Sequence, residues 1–491
     1  MKTLLNKRTF ALGLLFLFAF SLRLSFISKG PFHYDALDLA LASQKTLETG
    51  RLVYETHGTG FPLTVLAGAF TIRFLKFFGV TDPVFCVNFM SVFTGALGVI
   101  ILFFLVEKLF GFRRAIFSAV LFCCFGPHLA ISTFGKSLTL SICFALASIY
   151  YMLRFLEENK HHHFLYSAVF LGFCMAARLS DVLIALPIVY LYFSFKPLTY
   201  VRVKFFVVYA LIVLFVGGFW YIPFLLDKGF NPFVAILSTR YQSQYLGVFS
   251  ELLGLASYWM TVIFQPAGLI LIGAGFLSLI TQKKKKAFFF LLIWFLSLHL
   301  FYGNVSSMGL RYLVIAWIPL IIAQGVFLGS FKGKFAIVAV CGALLMIAAQ
   351  FGKYAAVLEF RHHYALQKDF AQWVAKKTSP DAVVIAMDES LFLRYYGKRN
   401  TLAHPITTNR NFMDNYFENN VDPLLQEGRD VYVISTAFLT YDPKRLFYDE
   451  LFKRYDVIFV GERKNEDWHH SLLYLELFDE QLYQLKWKSY S

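Results

Sequence analysis

The tightest constraint on this chain is a succession of apolar runs, each close to the roughly 20 residues a helix needs to cross a hydrocarbon core. They fall near residues 10–28, 84–106, 115–132, 137–156, 163–178, 181–195, 205–225, 256–280, 286–302, 311–330 and 334–352. Charge is correspondingly scarce: Asp, Glu, Lys and Arg make up 16% of the 491 residues, where soluble domains carry about a quarter. An ordinary soluble enzyme is excluded. The expected fold class is a polytopic α-helical membrane protein of about eleven spans.

The charges are unevenly placed. Residues 1–352 carry a net +17 and residues 353–491 a net −2. A basic membrane part with a near-neutral tail points to basic loops on the cytoplasmic side and not to nucleic-acid binding. One further apolar segment, 62–79, is interrupted by Arg73 and Lys76. If it does not span and the N-terminus lies inside, then Lys108 with Arg113 and Arg114, Lys160, Lys196 to Lys204, Lys283 to Lys286 and Lys332 to Lys334 all face the cytoplasm. That is the positive-inside pattern at every inner loop. Segment 62–79 is therefore expected as an interfacial or re-entrant helix in a long first outer loop, 29–83. No small-residue cleavage site precedes Ser28-Lys29-Gly30-Pro31, so the first helix reads as uncleaved.

The same parity puts the region from 353 outside, following a transmembrane domain over 1–352. Short apolar strands are expected at 381–386, 430–435 and 456–460, with helices at 389–396 and 443–455, giving a small α/β unit. No glycine-rich phosphate loop follows a strand, so dinucleotide binding is not expected. The six cysteines lie in apolar segments without disulfide or metal spacing. His161-His162-His163 point to different faces of a helix. No metal and no cofactor is expected.

Eleven acids occur in residues 1–352, and the topology gathers most of them on the outer face. Asp35 and Asp38, in Pro31-Phe32-His33-Tyr34-Asp35-Ala36-Leu37-Asp38, follow the first span; an ionisable group against a bilayer is a functional candidate by default. Lys136, Arg178 and Arg311 each sit at the outer end of an expected helix. Cations that hold a phosphate beside a carboxylate that takes a proton suit an anionic, lipid-borne substrate.

This layout resembles the GT-C membrane glycosyltransferases, in particular the protein O-mannosyltransferase and aminoarabinose-transferase branch. The resemblance rests on Tyr34-Asp35-Ala36-Leu37-Asp38, Leu47-Glu48-Thr49-Gly50-Arg51-Leu52, Gly60-Phe61-Pro62-Leu63, Arg311-Tyr312-Leu313 with Pro319, and Phe392-Leu393-Arg394-Tyr395-Tyr396-Gly397-Lys398-Arg399. It implies transfer of a sugar from a polyprenyl-phosphate carrier to a glycan, lipid or protein acceptor, with inversion, at the outer face of a bacterial-type inner membrane. On that carry-over Asp35 is the general base, and Lys136, Arg178 and Arg311 stabilise the leaving phosphate. The second acid that relatives carry after the second outer loop is absent from Phe134-Gly135-Lys136-Ser137-Leu138. The Trp-Trp-Asp signature of oligosaccharyltransferases is absent as well.

Each of these residues has a plainer reading. Asp35 can cap its helix, with Asp38 a helper one turn on. Arg178 can simply pair with Asp181, and Arg311 can snorkel to the interface. His57 is expected to line the acceptor entrance. A rival class is a transporter or flippase of a lipid-linked or small anion, although midplane charges and repeats typical of transporters are not apparent.

Overall fold

The computed structural model describes every residue except 1, 55–60, 195–199, 229–248, 304–309, 388, 406, 408, 440, 441, 443, 464–479 and 489–491. It divides into two compact bodies. One holds residues up to Ser28 and Asp38–His362; the other holds Lys29–Leu37 and most of the chain from His363 on.

Among the described residues, seven helices of the first body are long and apolar enough to cross a membrane: Pro83–Phe110, Ser137–Glu158, Val203–Leu226, Met260–Thr281, Lys285–Tyr302, Arg311–Leu328 and Phe335–His363. The chain is an integral membrane protein. Four other expected segments are helical but differ in form. The first runs Lys2–Leu24. The third breaks into Phe112–Cys123 and Gly126–Ile131, because Pro127 opens a new helix and a Cβ at Gly126 would lie 2.2 Å from the Tyr354 ring. His161–Ala177 has 17 residues, and Leu179–Ser194 starts as a 3₁₀ turn. The Phe249–Thr281 helix is kinked at Gln265 (φ 58°), since the following Pro266 disfavours helical backbone at the residue before it.

The Pro62–Lys76 helix has 15 residues and so rises only about 22 Å, short of a core about 30 Å thick. Thr64, Val65, Gly68, Ala69, Ile72 and Leu75 are buried, while Phe70, Phe74, Phe77 and Phe78 are exposed. Two polar contacts hold it: Ser43 Oγ donates to the Val65 carbonyl at 3.0 Å and Thr64 Oγ1 to the Ala177 carbonyl at 3.0 Å.

Helices in hydrocarbon gain little from apolar burial, so close backbone approach at small residues dominates their packing. A Cβ at Gly275 would lie 2.1 Å from the Ala323 carbonyl oxygen, and one at Gly325 would lie 2.5 Å from the Ser118 amide nitrogen. These two glycines seat Arg311–Leu328 between Met260–Thr281 and Phe112–Cys123. At one end of the body Arg8 pairs with Glu107 at 2.5 Å, Lys108 with Glu157, and Arg154 with Glu158 at 2.6 Å.

The second body is built on a five-stranded sheet: β1 (Val383–Ala386), β2 (Asn400–Ala403), β3 (Val431–Ile434), β4 (Tyr455–Arg463) and β5 (Glu480–Trp487), in the order β2-β1-β3-β5-β4. The β2, β1 and β3 strands are parallel, whereas β5 runs antiparallel to both β3 and β4. Helices Leu366–Lys377, Ser390–Tyr395 and Leu446–Arg454 connect or cover the strands. Arg454 ties its helix down through Glu450 at 3.0 Å, Glu418 at 3.3 Å and Asp422 at 3.4 Å. Strands β1 and β3 are wholly buried, as continuous apolar runs in a parallel sheet should be.

Two tests follow. Gly275→Val should lower the melting temperature of the solubilised protein strongly, since over-packing costs about 1–3 kcal/mol or more. Gly273→Val is the control, because a Cβ there meets nothing within 4 Å; equal melting of the two would refute the close-approach argument. In the second body burial, and then the neighbouring Glu389, push the Glu480 carboxyl well up from its ordinary value. The folded state thus favours the protonated acid. Its contribution is complete below the unfolded value of about 4.3 and is lost as pH rises from there through the folded value. Glu480→Gln should flatten the fall in thermal stability between about pH 5 and pH 8; a variant that melts with the unchanged pH slope would count against it.

Candidate functional site

Asp35 lies in the first turn of the Tyr34–Thr49 helix. Its own amide donates to His33 Nδ1 at 3.2 Å, and that nitrogen also lies 3.5 Å from Asp35 Oδ2. The segment around it is fastened to the second body. Lys29 Nζ donates to the His363 carbonyl at 3.1 Å, Gln367 Nε2 donates to the Phe32 carbonyl at 2.8 Å, and the Tyr34 ring packs on Phe392. A Cβ at Gly30 would lie 2.8 Å from the Ala365 Cβ. The first-loop acid is therefore carried by the same unit as the sheet. Asp38, one turn on, is buried. His57 lies outside the described residues.

In the membrane body the turn before Ser137–Glu158 is clamped from two sides. Asn88 Oδ1 accepts the Gly135 amide at 2.6 Å while Asn88 Nδ2 donates to the Ser28 carbonyl at 3.0 Å. Ser91 Oγ accepts the Lys136 amide at 3.2 Å. Lys136 is consequently fixed at its backbone with a buried side chain. Arg361 joins this turn, donating through Nη2 to the Ala130 carbonyl at 3.2 Å and Thr133 Oγ1 at 3.1 Å, with its guanidinium over the Phe134 ring. Arg23, also fully buried, donates to the Ala19 and Cys123 carbonyls and lies 3.0 Å from His128 Nδ1.

Arg178 and Arg311 are brought together by one ring. Arg178 lies 4.5 Å from the Tyr312 ring centre and 5.9 Å from that of Phe61; Arg311 lies 4.8 Å from the same Tyr312 ring. Arg311 Nη2 also donates to the Tyr312 hydroxyl at 3.0 Å. Two guanidiniums against one aromatic ring is an arrangement that compensates desolvation through the ring quadrupole. Phe61 reaches Arg178 because the Thr64–Ala177 bond joins the start of its helix to the residue before Arg178.

The Asp181 pairing expected as the plain reading of Arg178 is present: Arg178 Nε lies 3.4 Å from Asp181 Oδ1. Asp181 is fully buried. Its Oδ2 accepts Ser141 Oγ at 2.5 Å and its Oδ1 accepts the Tyr302 hydroxyl. Tyr302 in turn stacks on Tyr312. Among the described residues no group of three or more His, Cys, Asp or Glu is placed to hold a metal ion.

The sequence reading assigns no role to His33, Tyr302, Tyr312, Arg23 or Arg361. Arg23 was readable as a charge inside the first apolar run. The tyrosines were not, being two of 27 in a chain with 58 Phe.

Residues 64–222 match the family model described as dolichyl-phosphate-mannose-protein mannosyltransferase. Comparison with curated proteins returns no match. Among solved structures, ArnT from Cupriavidus metallidurans bound to undecaprenyl phosphate aligns with a TM-score of 0.61 at 14% identity, over 98% of each chain. The archaeal oligosaccharyltransferase AglB from Archaeoglobus fulgidus, in complex with an inhibitory peptide and a dolichol-phosphate, aligns with a TM-score of 0.58 at 14% identity, over 94% of this chain and 74% of its own. The chain thus shares its fold with these two solved structures, and residues 64–222 resemble the mannosyltransferase family.

The shared ring makes a direct prediction. Tyr312→Leu should lower thermal stability measurably, because it strips the face from two partly desolvated guanidiniums, each contact being worth about 0.5–2 kcal/mol. Tyr312→Phe keeps the face and should melt near wild type. Equal losses would assign the effect to the hydroxyl instead.

Proposed function

We propose that the chain transfers a sugar from a polyprenyl-phosphate donor to a hydroxyl of a glycan, lipid or protein acceptor, at the outer face of the membrane and with inversion. The observation that carries this reading is the Arg178–Tyr312–Arg311 arrangement in a GT-C fold. Guanidiniums are suited to a phosphate, whose oxygens they meet with paired donors. ArnT and AglB have each been seen with a polyprenyl-type phosphate bound, which supports the donor class.

In the proposed reaction the acceptor oxygen forms a bond to the anomeric carbon as the bond from that carbon to the phosphate oxygen breaks. The hydroxyl proton passes to Asp35, and the electron pair of the broken bond leaves on the polyprenyl phosphate. That group departs as a stable anion, so it requires positive charge and no proton donor. Arg178 and Arg311 supply it, with Lys136 a further cation. Asp38 assists Asp35 from one turn on, and His57 lines the acceptor entrance. In this reading the N-terminus is cytoplasmic and the α/β domain extracytoplasmic. The division into a membrane domain over 1–352 and an outer domain over 353–491 belongs to the same proposal, with segment 62–79 as an interfacial element of the first outer loop.

The test is purified protein in lipid nanodiscs, given a labelled polyprenyl-phosphate sugar and candidate acceptors. Asp35→Asn should lower the rate about 10²–10⁴-fold, the usual worth of a positioned general base, with donor binding retained. Full activity in Asp35→Asn would remove the base assignment. Movement of the lipid across the bilayer with no glycosidic bond formed would favour a flippase.

A further inference from the structure

We infer that Asp181 is a positioning residue for the donor phosphate, acting through Arg178; this rests on the reading of Arg178 given above. A buried carboxylate is tolerated only when its lone pairs are occupied. Here Ser141 Oγ donates to Oδ2 and the Tyr302 hydroxyl to Oδ1, and Arg178 Nε lies 3.4 Å from Oδ1 as an ion pair. The partners come from three separate stretches of chain: Ser141 from the Ser137–Glu158 helix, Tyr302 from the end of Lys285–Gly303, and the paired Arg178 from the cap of His161–Ala177. Ser180 Oγ lies 3.0 Å from the Tyr302 hydroxyl and closes the group.

The consequence is geometric. A guanidinium held only by a ring face can slide and rotate in the plane of that face. A buried carboxylate paired with the guanidinium restrains that freedom by charge attraction. Arg178 has both holds, one on Tyr312 and one on Asp181. Tyr302 links the two by accepting the stack of Tyr312 while donating to the carboxylate. The carboxylate also offsets much of the Coulomb repulsion that would otherwise separate two arginines around one ring. Asp181 is thus what lets Arg178 and Arg311 stay together before an anion arrives.

The probe is undecaprenyl phosphate, titrated into the full-length protein in nanodiscs. Asp181→Asn keeps shape and removes the charge; it should weaken binding about tenfold, and Arg178→Lys should do about the same. The double variant should be no weaker than either alone, because both remove one arrangement, and couplings within one network are non-additive. Asp181→Asn combined with Arg311→Lys should instead bind more weakly than either variant alone. Tyr302→Phe and Ser141→Ala, each removing a single donor to Asp181, should weaken binding less and show the same selective coupling to Arg178→Lys; they decide the matter if Asp181→Asn does not fold. Wild-type binding in Asp181→Asn, or losses that multiply with Arg178→Lys, would overturn the inference. Unchanged binding in both Arg178→Lys and Arg311→Lys would overturn the phosphate reading itself, which is a distinct result.

Discussion

Hydrocarbon offers no partner to a polar group, and every other feature of the membrane body follows from that. Backbone groups are satisfied inside helices, and helices meet where glycines bring backbones together, as Gly275 and Gly325 do on either side of Arg311–Leu328. Side-chain polar groups must find their partners within the protein. Trp294 Nε1 donates to the Ile315 carbonyl at 3.1 Å and Gln324 Nε2 to the Gly268 carbonyl at 3.1 Å. Each such bond is also a register mark between helices. The packing that positions the candidate site is therefore specified by few contacts, and those contacts are polar or small rather than merely apolar.

The cations obey the same constraint in two ways. Arg23 and Arg361 donate to the Cys123 and Ala130 carbonyls on either side of the Gly126–Ile131 helix start, and also meet His128 and Thr133, so they hold an irregular stretch of chain in shape. Irregular backbone at membrane depth requires such support. Arg178 and Arg311 rest on an aromatic face, and Arg178 also on a carboxylate. Arg23 and Arg361 are thus held by directed bonds, whereas Arg178 is held by a ring and an ion pair. The distinction is one of geometry and not of charge count.

The sequence shows where the spans are because twenty apolar residues leave few alternatives. It also shows β1 and β3, which are short apolar runs between turn residues. Strand β2, Asn400-Thr401-Leu402-Ala403, carries no such signal, because it is a four-residue strand exposed at its ends and defined by its pairing with β1. Strand β5, Glu480-Gln481-Leu482-Tyr483-Gln484-Leu485-Lys486-Trp487, is half polar and becomes a strand by pairing with β3 and β4. Asp35 stands out as a charge near the membrane, yet nothing local says that its segment packs on Gln367 and Phe392, more than three hundred residues later in the chain.

Arg178 shows why reading residues one at a time falls short at a site. From the sequence, pairing with Asp181 and contact with a phosphate are competing explanations, since one charge appears to have one partner. In the structure the Asp181 pairing does not stand alone. Asp181 Oδ1 lies 3.4 Å from Nε as an ion pair, and the Tyr312 ring centre lies 4.5 Å from the guanidinium carbon. A planar group with five N–H donors can be anchored along one edge and still present another. The nearby acid and the ring are two independent holds on one arginine. The same logic separates Arg from Lys at this position: an ammonium offers a point of charge with no edges to divide between an anchor and a ligand.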